Sequence, residues 1–211
     1  MRLIICRHGQ TDFNVQRRLQ GQLETELNKN GLNQAKLVSE HLKDLEFDYA
    51  FSSPQKRCKA TANEIMKHHK DKELVFRDEL KEIDVGIYMG MTAEEIDKQF
   101  PNKWSERVDN KYDFKHKDGE SYKGVDENRV QPLLKEFREK YSSRTILIVT
   151  HQGTGKLIIG NLFGLNGDEK MDIMIPNDCV YTIDYLPHKT VSNYIRIETG
   201  EEGEGWIKRD A

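Results

Sequence analysis

Apolar residues in this chain fall into short blocks whose period changes along its length. Residues 2–6 read Arg-Leu-Ile-Ile-Cys, an apolar run too short for a helix, and they predict a buried strand. Leu32, Ala35, Val38, Leu42 and Leu45 then recur every three or four positions and predict one stripe of a helix over 31–45. Residues 48–52 predict a second strand. Ser53-Pro54 pairs a capping hydroxyl with a proline in the first turn, and predicts a helix to about residue 68. A short strand is predicted at 74–76.

The middle of the chain is less regular. Gly86 and Gly90 interrupt it, and Thr92-Ala93-Glu94-Glu95 is a capping box for a short helix ending before Pro101. Residues 102–121 are polar and irregular, and a loop of that length inside a domain points to function or mobility. Val130, Leu133, Leu134 and Phe137 predict a helix over 125–141. Residues 145–150, Thr-Ile-Leu-Ile-Val-Thr, are the plainest buried strand, followed by His151 and a helix over 154–163. Strands are predicted at 179–185 and 194–197, and the Gly/Glu-rich tail 199–211 is expected to be loose. Strands alternating with helices predict an α/β sandwich whose sheet is mostly parallel. Two strands in it end in histidine, at His8 and His151, so parallel neighbours would bring both to one edge.

Composition narrows the setting without naming the chemistry. The 211 residues carry 33 Lys and Arg against 36 Asp and Glu, a balance that calls for neither nucleic acid nor a membrane surface. No apolar run reaches membrane-spanning length and no leader pattern opens the chain, so a soluble cytoplasmic protein is expected. Cys6, Cys58 and Cys179 are widely spaced, which fits reduced thiols rather than disulfides or a zinc site. Cys6, although next to Arg7-His8, reads as a small buried strand residue.

The chemistry suggested by Arg7-His8-Gly9-Gln10-Thr11 is that of a phosphate monoester, which carries about two negative charges at neutral pH. Arginine forks suit its oxygens, and Arg7 and Arg57 are placed for that, with Arg17 and Arg18 as loop alternatives. Neutral imidazole is a competent nucleophile, which His8 would supply, while His151 could donate where charge builds. Glu82, between apolar neighbours before a glycine-broken loop, is the candidate proton donor. Gly153-Thr154-Gly155-Lys156 ends like a P-loop, but Thr150 stands for its first glycine and Leu157 for its Ser/Thr. Neither Cys6 nor Cys58 is followed by the loop arginine of a cysteine phosphatase, and no cluster has metal-ligand spacing. No metal and no cofactor are expected.

These residues resemble the histidine phosphatase superfamily, in its phosphoglycerate mutase-like branch. The signature is Arg7-His8-Gly9-Gln10-Thr11 with Asn14. The later motifs follow in the family's order: Ser52-Ser53-Pro54 with Arg57, Thr61 and Ala62; Leu80-x-Glu82-Ile83-Asp84-x-Gly86; Gly119-Glu120-Ser121 with Arg129; and Val149-Thr150-His151. The resemblance implies a three-layer α/β/α sandwich in a single domain over 1–198, with a cap insert over about 86–122. It implies that His8 is phosphorylated, that Arg7, Arg57 and His151 bind the phosphoryl group with help from Asn14 and Gln152, and that Glu82 is the acid and then the base. The run Lys81-Glu82-Ile83-Asp84-Val85-Gly86 is similar to phosphatases rather than to the Asn-Glu-Arg-x-Tyr-Gly of the mutases.

A further similarity is to the fructose-2,6-bisphosphatase type, where residues matching Arg107, Lys111, Gln152 and Lys156 contact the sugar phosphate. The chain departs from it at Lys156, an arginine there, and at Ala93, a sugar-binding tyrosine there. The implied substrate-binding set is therefore Asn14, Gly21, Arg107, Lys111, Gln152 and Lys156. The implied activity is hydrolysis of a small phosphate ester, a sugar phosphate in this reading, by a chain with room to act as a homodimer. The rival readings are phosphoglycerate mutase-type transfer and an inactive phosphate-binding protein.

Overall fold

Leu3 and Ile5 point to one side of a sheet and Ile4 and Cys6 to the other, and each pair joins a different apolar cluster. A strand buried on both faces needs helices on both. The computed structural model, which describes residues 1–209, supplies them. In chain order the elements are β1 (Arg2–Arg7), α1 (Asp12–Val15), α2 (Lys29–Leu42), β2 (Tyr49–Ser52), α3 (Lys56–Met66), β3 (Leu74–Phe76), α4 (Ala93–Gln99), α5 (Lys103–Asp109) and α6 (Tyr122–Val125). There follow α7 (Gln131–Lys140), β4 (Thr145–Thr150), α8 (Gln152–Leu162), α9 (Gly167–Met171), β5 (Ile173–Met174), β6 (Cys179–Tyr185), β7 (Thr190–Arg196), β8 (Glu202–Glu204) and β9 (Ile207–Lys208).

Among the described residues the main sheet has seven strands in the order β3-β2-β4-β1-β6-β7-β8. The first four are mutually parallel and the last three join antiparallel, so five of the seven strands run one way. One face is covered by Val38 and Leu42 of α2 with Cys58, Ala62 and Ile65 of α3. The other is covered by Leu133, Leu134 and Phe137 of α7 with Leu157, Ile158 and Ile159 of α8. Each fully buried Val, Leu, Ile or Phe among them contributes about 1.5–3 kcal/mol. The three-layer α/β/α sandwich with a mostly parallel sheet is the architecture observed. Among the described residues no helix is long and apolar enough to cross a membrane.

Local differences from the sequence reading have physical causes. α2 starts at Lys29 because Asn28 caps it, its side-chain oxygen accepting from Gly31 N at 2.8 Å. α3 starts at Lys56 with no side-chain cap, since the amide of its N-cap residue Gln55 is spent on Gly21 O and Glu82 N, while the Ser53 hydroxyl bonds His151. The polar stretch 102–121 contains α5. The helix predicted over 125–141 is interrupted by a π-helical turn at Asp126–Val130, where buried Asp126 accepts from Lys170 Nζ at 2.6 Å and Tyr112 Oη at 2.7 Å.

The largest correction is the tail. β8 pairs with β7, and β9 pairs with β5, so residues 202–208 are not loose. Tyr181 Oη joins the two sides, donating to Met174 O at 2.7 Å and accepting from Ile207 N at 3.1 Å. The composition of the tail is polar, but its backbone pairs and Trp206 packs on Phe163 at 4.9 Å. Residues 210–211 lie outside the described residues.

The strap formed by β9 yields a first prediction. Ending the chain at Gly205 should lower stability by about 2–3 kcal/mol, from lost burial of Trp206 and Ile207 and lost pairing of β5. Urea denaturation of the truncated chain measures this, and an unchanged midpoint would refute it. A second concerns acid. His8, His116 and His151 are 2%, 1% and 0% exposed. Burial pushes all three below their ordinary 6.5, His116 to about 4. The unfolded chain therefore takes up protons that the native state refuses. The stability these groups confer is complete above about pH 6.5 and drains as the pH falls towards 4. Unfolding free energy should drop by at least about 2 kcal/mol between pH 7 and pH 5, and a flat profile there would contradict the assignment.

Candidate active site

The parallel pairing of β1 with β4 sets Arg7 opposite Thr150, and His8 N donates to Thr150 O at 3.0 Å. His8 and His151, next along each strand, are thereby brought together with ring centroids 5.2 Å apart and planes at 61°. The loop after His8 is pressed against the start of α2. A Cβ on Gly31 would lie 2.0 Å from Gln10 O, so only glycine allows this approach. Gly9 N also donates to Thr61 Oγ1 of α3 at 3.1 Å.

The His8 ring lies 2.8 Å from Gly9 O through Nδ1. A carbonyl only accepts, so Nδ1 carries the proton and Nε2 the lone pair. Nε2 faces the cavity edge and accepts from Arg57 Nε at 3.2 Å. Burial, then Arg57 and Arg7, hold His8 neutral well below its ordinary pKa.

Both arginines direct donors to backbone carbonyls. Arg57 donates to Leu23 O and Gly21 O, each at 2.8 Å, and to Thr25 Oγ1 at 3.3 Å. Arg7 Nη1 donates to Ile175 O at 3.0 Å and Gln152 Oε1 at 3.4 Å. Arg7 Nε is buried with no partner among the described residues. Burial pushes Arg7 down to about 10, against the pull of Glu82.

Glu82 is clamped at the N-terminus of α8. Its Oε2 accepts from Gly153 N at 3.0 Å, and Oε1 accepts from Thr154 N at 3.2 Å and from Ile83 N at 3.0 Å. Its own backbone N donates to Gln55 Oε1 at 2.9 Å. The same Gln55 donates to Gly21 O at 3.2 Å, so one side chain ties the acid to the Arg57 loop. Arg129, paired with Glu120 at 2.7 Å, braces the Glu82 segment through Lys81 O at 2.9 Å.

His151 is wholly buried beneath His8. Its Nε2 bonds Ser53 Oγ at 2.8 Å, and Cys58 Sγ lies 3.4 Å from it. Burial, then Arg57 and His8, hold it below its ordinary pKa. Burial also pushes the Cys58 thiol up to about 12 and the Cys6 thiol higher still. All three cysteines are free and buried, so neither strand nor helix thiol is a poised nucleophile.

A cavity of about 130 Å³ collects Arg7, His8, Asn14, Gly21, Arg57, Glu82 and Arg107 from the sequence-derived set. Its size is well below the usual range for ligand pockets, which suits a phosphoryl group with a small alcohol. Four expected residues are not in its wall. His151 lies beneath it. Gln152 is engaged at both ends, accepting from Ile175 N at 2.9 Å and donating to Ile173 O at 3.0 Å, so it positions β5 and Arg7. Lys156 donates to Met171 O at 2.8 Å within the interior. Lys111 stands beside it, pushed down to about 8 by burial and then by Arg107 and Arg209.

The wall also holds residues that sequence reading did not assign, notably Tyr122, Gln20 and Val85. Tyr122 follows the Gly119-Glu120-Ser121 motif, the signal that could have marked it. Arg18 lines the wall too, but its guanidinium is paired with Glu95 at 2.6 Å.

The histidine phosphatase superfamily (branch 1) model matches residues 3–197. Phosphoserine phosphatase 1 of Hydrogenobacter thermophilus is 34% identical over 151 residues, covering 72% of this chain and 71% of its own. The fructose-2,6-bisphosphatase of Saccharomyces cerevisiae is 29% identical over 175 residues, 82% of this chain and 36% of the yeast protein. Among solved structures, the α-ribazole phosphatase of Shigella flexneri superposes with a TM-score of 0.82 at 26% identity, covering 90% of this chain and 93% of that one. A family model spanning nearly the whole length, with relatives of this similarity, makes the chain a phosphatase and a member of the histidine phosphatase superfamily, branch 1.

Proposed function

We propose that this phosphatase hydrolyses a small phosphorylated metabolite, a sugar phosphate or similar ester carrying a second anionic group, through phospho-His8. The observation that carries the reading is His8 itself. It is a neutral imidazole with its proton fixed on Nδ1, its Nε2 turned to a cavity walled by Arg7, Arg57 and Glu82.

The steps follow from these positions. The phosphoryl oxygens take the free donors of Arg7 and draw Arg57 Nε away from His8 Nε2. Asn14, in the wall, can add an amide donor. The Nε2 lone pair then forms a bond to phosphorus as the ester P–O bond breaks. Glu82, protonated for this step, gives its proton to the departing oxygen, which leaves as the alcohol. As a carboxylate it next takes a proton from water, whose oxygen attacks phosphorus. The N–P bond breaks, and phosphate and neutral His8 are released. His151, held against Ser53, supports the ring of His8 and the charge that gathers beside it.

The insert over 86–122 acts as the cap, contributing Arg107 and Tyr122 to the wall. Arg107 is 8% exposed and pairs with no carboxylate among the described residues, while Lys111 and Lys156 lie behind it. That uncompensated positive charge supports a second anionic group on the substrate. The free, buried cysteines support a reducing, cytoplasmic setting.

Rapid acid quench with p-nitrophenyl phosphate should trap acid-labile phosphate on His8, with free phosphate released in the presence of EDTA. Full activity in His8→Ala would end the proposal. Glu82→Gln should lower kcat on alkyl phosphates by about 10²–10³-fold yet cost p-nitrophenyl phosphate under about tenfold, because that leaving group needs little protonation. Equal losses on both would show that Glu82 is not the acid.

A further inference from the structure

Arg107 reaches the cavity wall from α5 in an unusual way for a buried guanidinium. Its carbon lies 4.9 Å over the ring of Trp104, and its Nε donates to His116 Nε2 at 3.2 Å. His116 Nδ1 lies 2.7 Å from Glu120 O. The carbonyl can only accept and the arginine Nε–H can only donate. The imidazole must therefore be neutral, with its proton on Nδ1 and its lone pair aimed at Arg107. The ring is 1% exposed and stands edge-on to Phe114 at 5.2 Å and to Tyr88 at 6.0 Å, so it has one orientation.

The same contact registers the insert against the acid. Glu120, whose carbonyl holds His116, donates from its backbone to Asp84 O at 2.8 Å and accepts from Asp84 N at 2.9 Å through its side chain. Asp84 lies two residues beyond Glu82. Arg107 is thus tied through one imidazole and one backbone carbonyl to the loop that carries the proton donor.

We propose that His116 is a positioning residue for substrate selection: it holds Arg107 by Nε alone, so that both terminal amino groups stay charged, unpaired and turned to the second anionic group of the substrate. The chemistry of position 116 follows from this. A carboxylate there would hold Arg107 as firmly but neutralise it, and an apolar residue would leave it free to swing. A neutral acceptor does neither. The inference rests on the reading above that Arg107 takes that second group.

The experiment compares 3-phosphoglycerate with glycerol 3-phosphate, which lacks the carboxylate, as probes. Arg107→Ala tests the underlying reading. The ratio of kcat/KM for 3-phosphoglycerate over glycerol 3-phosphate should fall about tenfold. His116→Phe keeps the aromatic packing and removes the acceptor. It should lower the same ratio about fivefold, through KM for 3-phosphoglycerate rather than through kcat. His116→Gln, whose side-chain oxygen can accept from Arg107, should recover most of the ratio. In the Arg107→Ala background, His116→Phe should add nothing further. If Arg107→Ala changes the ratio and His116→Phe does not, the inference is overturned and the reading of Arg107 stands. If His116→Phe instead lowers kcat on both probes alike together with the melting temperature, its role is structural and the inference is likewise overturned. If Arg107→Ala leaves the ratio intact, the reading of Arg107 itself fails and the inference fails with it.

Discussion

Two guanidinium groups, Arg57 buried and Arg7 partly buried, stand beside one imidazole at the end of β1, and much of the surrounding architecture follows from keeping them there. Removing two cations from water is costly unless their donors are satisfied. Glu82 is the one carboxylate in the cavity wall, so charge is not balanced within the site. Three donors go instead to backbone carbonyls of Gly21, Leu23 and Ile175, Arg57 Nε goes to His8 Nε2, and Arg7 Nε has no partner among the described residues. Carbonyls satisfy hydrogen bonds without neutralising the charge, which leaves the site with the net positive charge that a phosphoryl group would meet. Burial first, and then the same excess, keeps His8 unprotonated, which is the form the proposed nucleophile needs.

Each carbonyl must be held in place, and the constraint spreads through the fold from there. Gly21 is fixed by Arg57 and by Gln55, which at its other end holds the backbone of Glu82. Ile175 follows β5, which is clamped on one side by Gln152 and on the other by β9. The C-terminal strap, remote in sequence from Arg7, is therefore one hydrogen bond and one strand removed from it. An arginine site built on carbonyls draws its rigidity from loops and edge strands, while a site built on carboxylates could draw it from the ion pairs themselves.

This distribution explains what sequence could and could not convey. Strands ending in His8 and His151 were legible because their apolar runs are buried on both faces, and a parallel sheet then places their ends together. Arg57 and Glu82 are marked only weakly by their own neighbourhoods, and motif order strengthens both. The Ser53 hydroxyl reads as a helix cap in isolation, but an unpaired His151 Nε2 stands beside it in space and takes it. Gln152 looked like a substrate contact, yet both ends of its amide are used by β5. The tail reads as loose because glycine and glutamate dominate it, and pairing is a property of the partner strand as much as of its own composition. What was lost in each case is a partner distant in sequence.

The proposed division between chemistry and selection falls where the Glu82 loop meets the insert. A Cβ on Gly86, at φ +54°, would lie 1.9 Å from Lys117 O, so the two segments cross with no room for a side chain. On one side of this crossing stand Glu82 and the strand-end histidines, held by the sheet and α8. On the other stands Arg107, held by Trp104 and His116 on a segment with no strand of its own. On the function proposed above, substitutions in the insert would change which ester is accepted while the sheet edge is left as it was. The crossing at Gly86 is what makes that possible, because it fixes the distance between the acid and whatever side chains the insert carries.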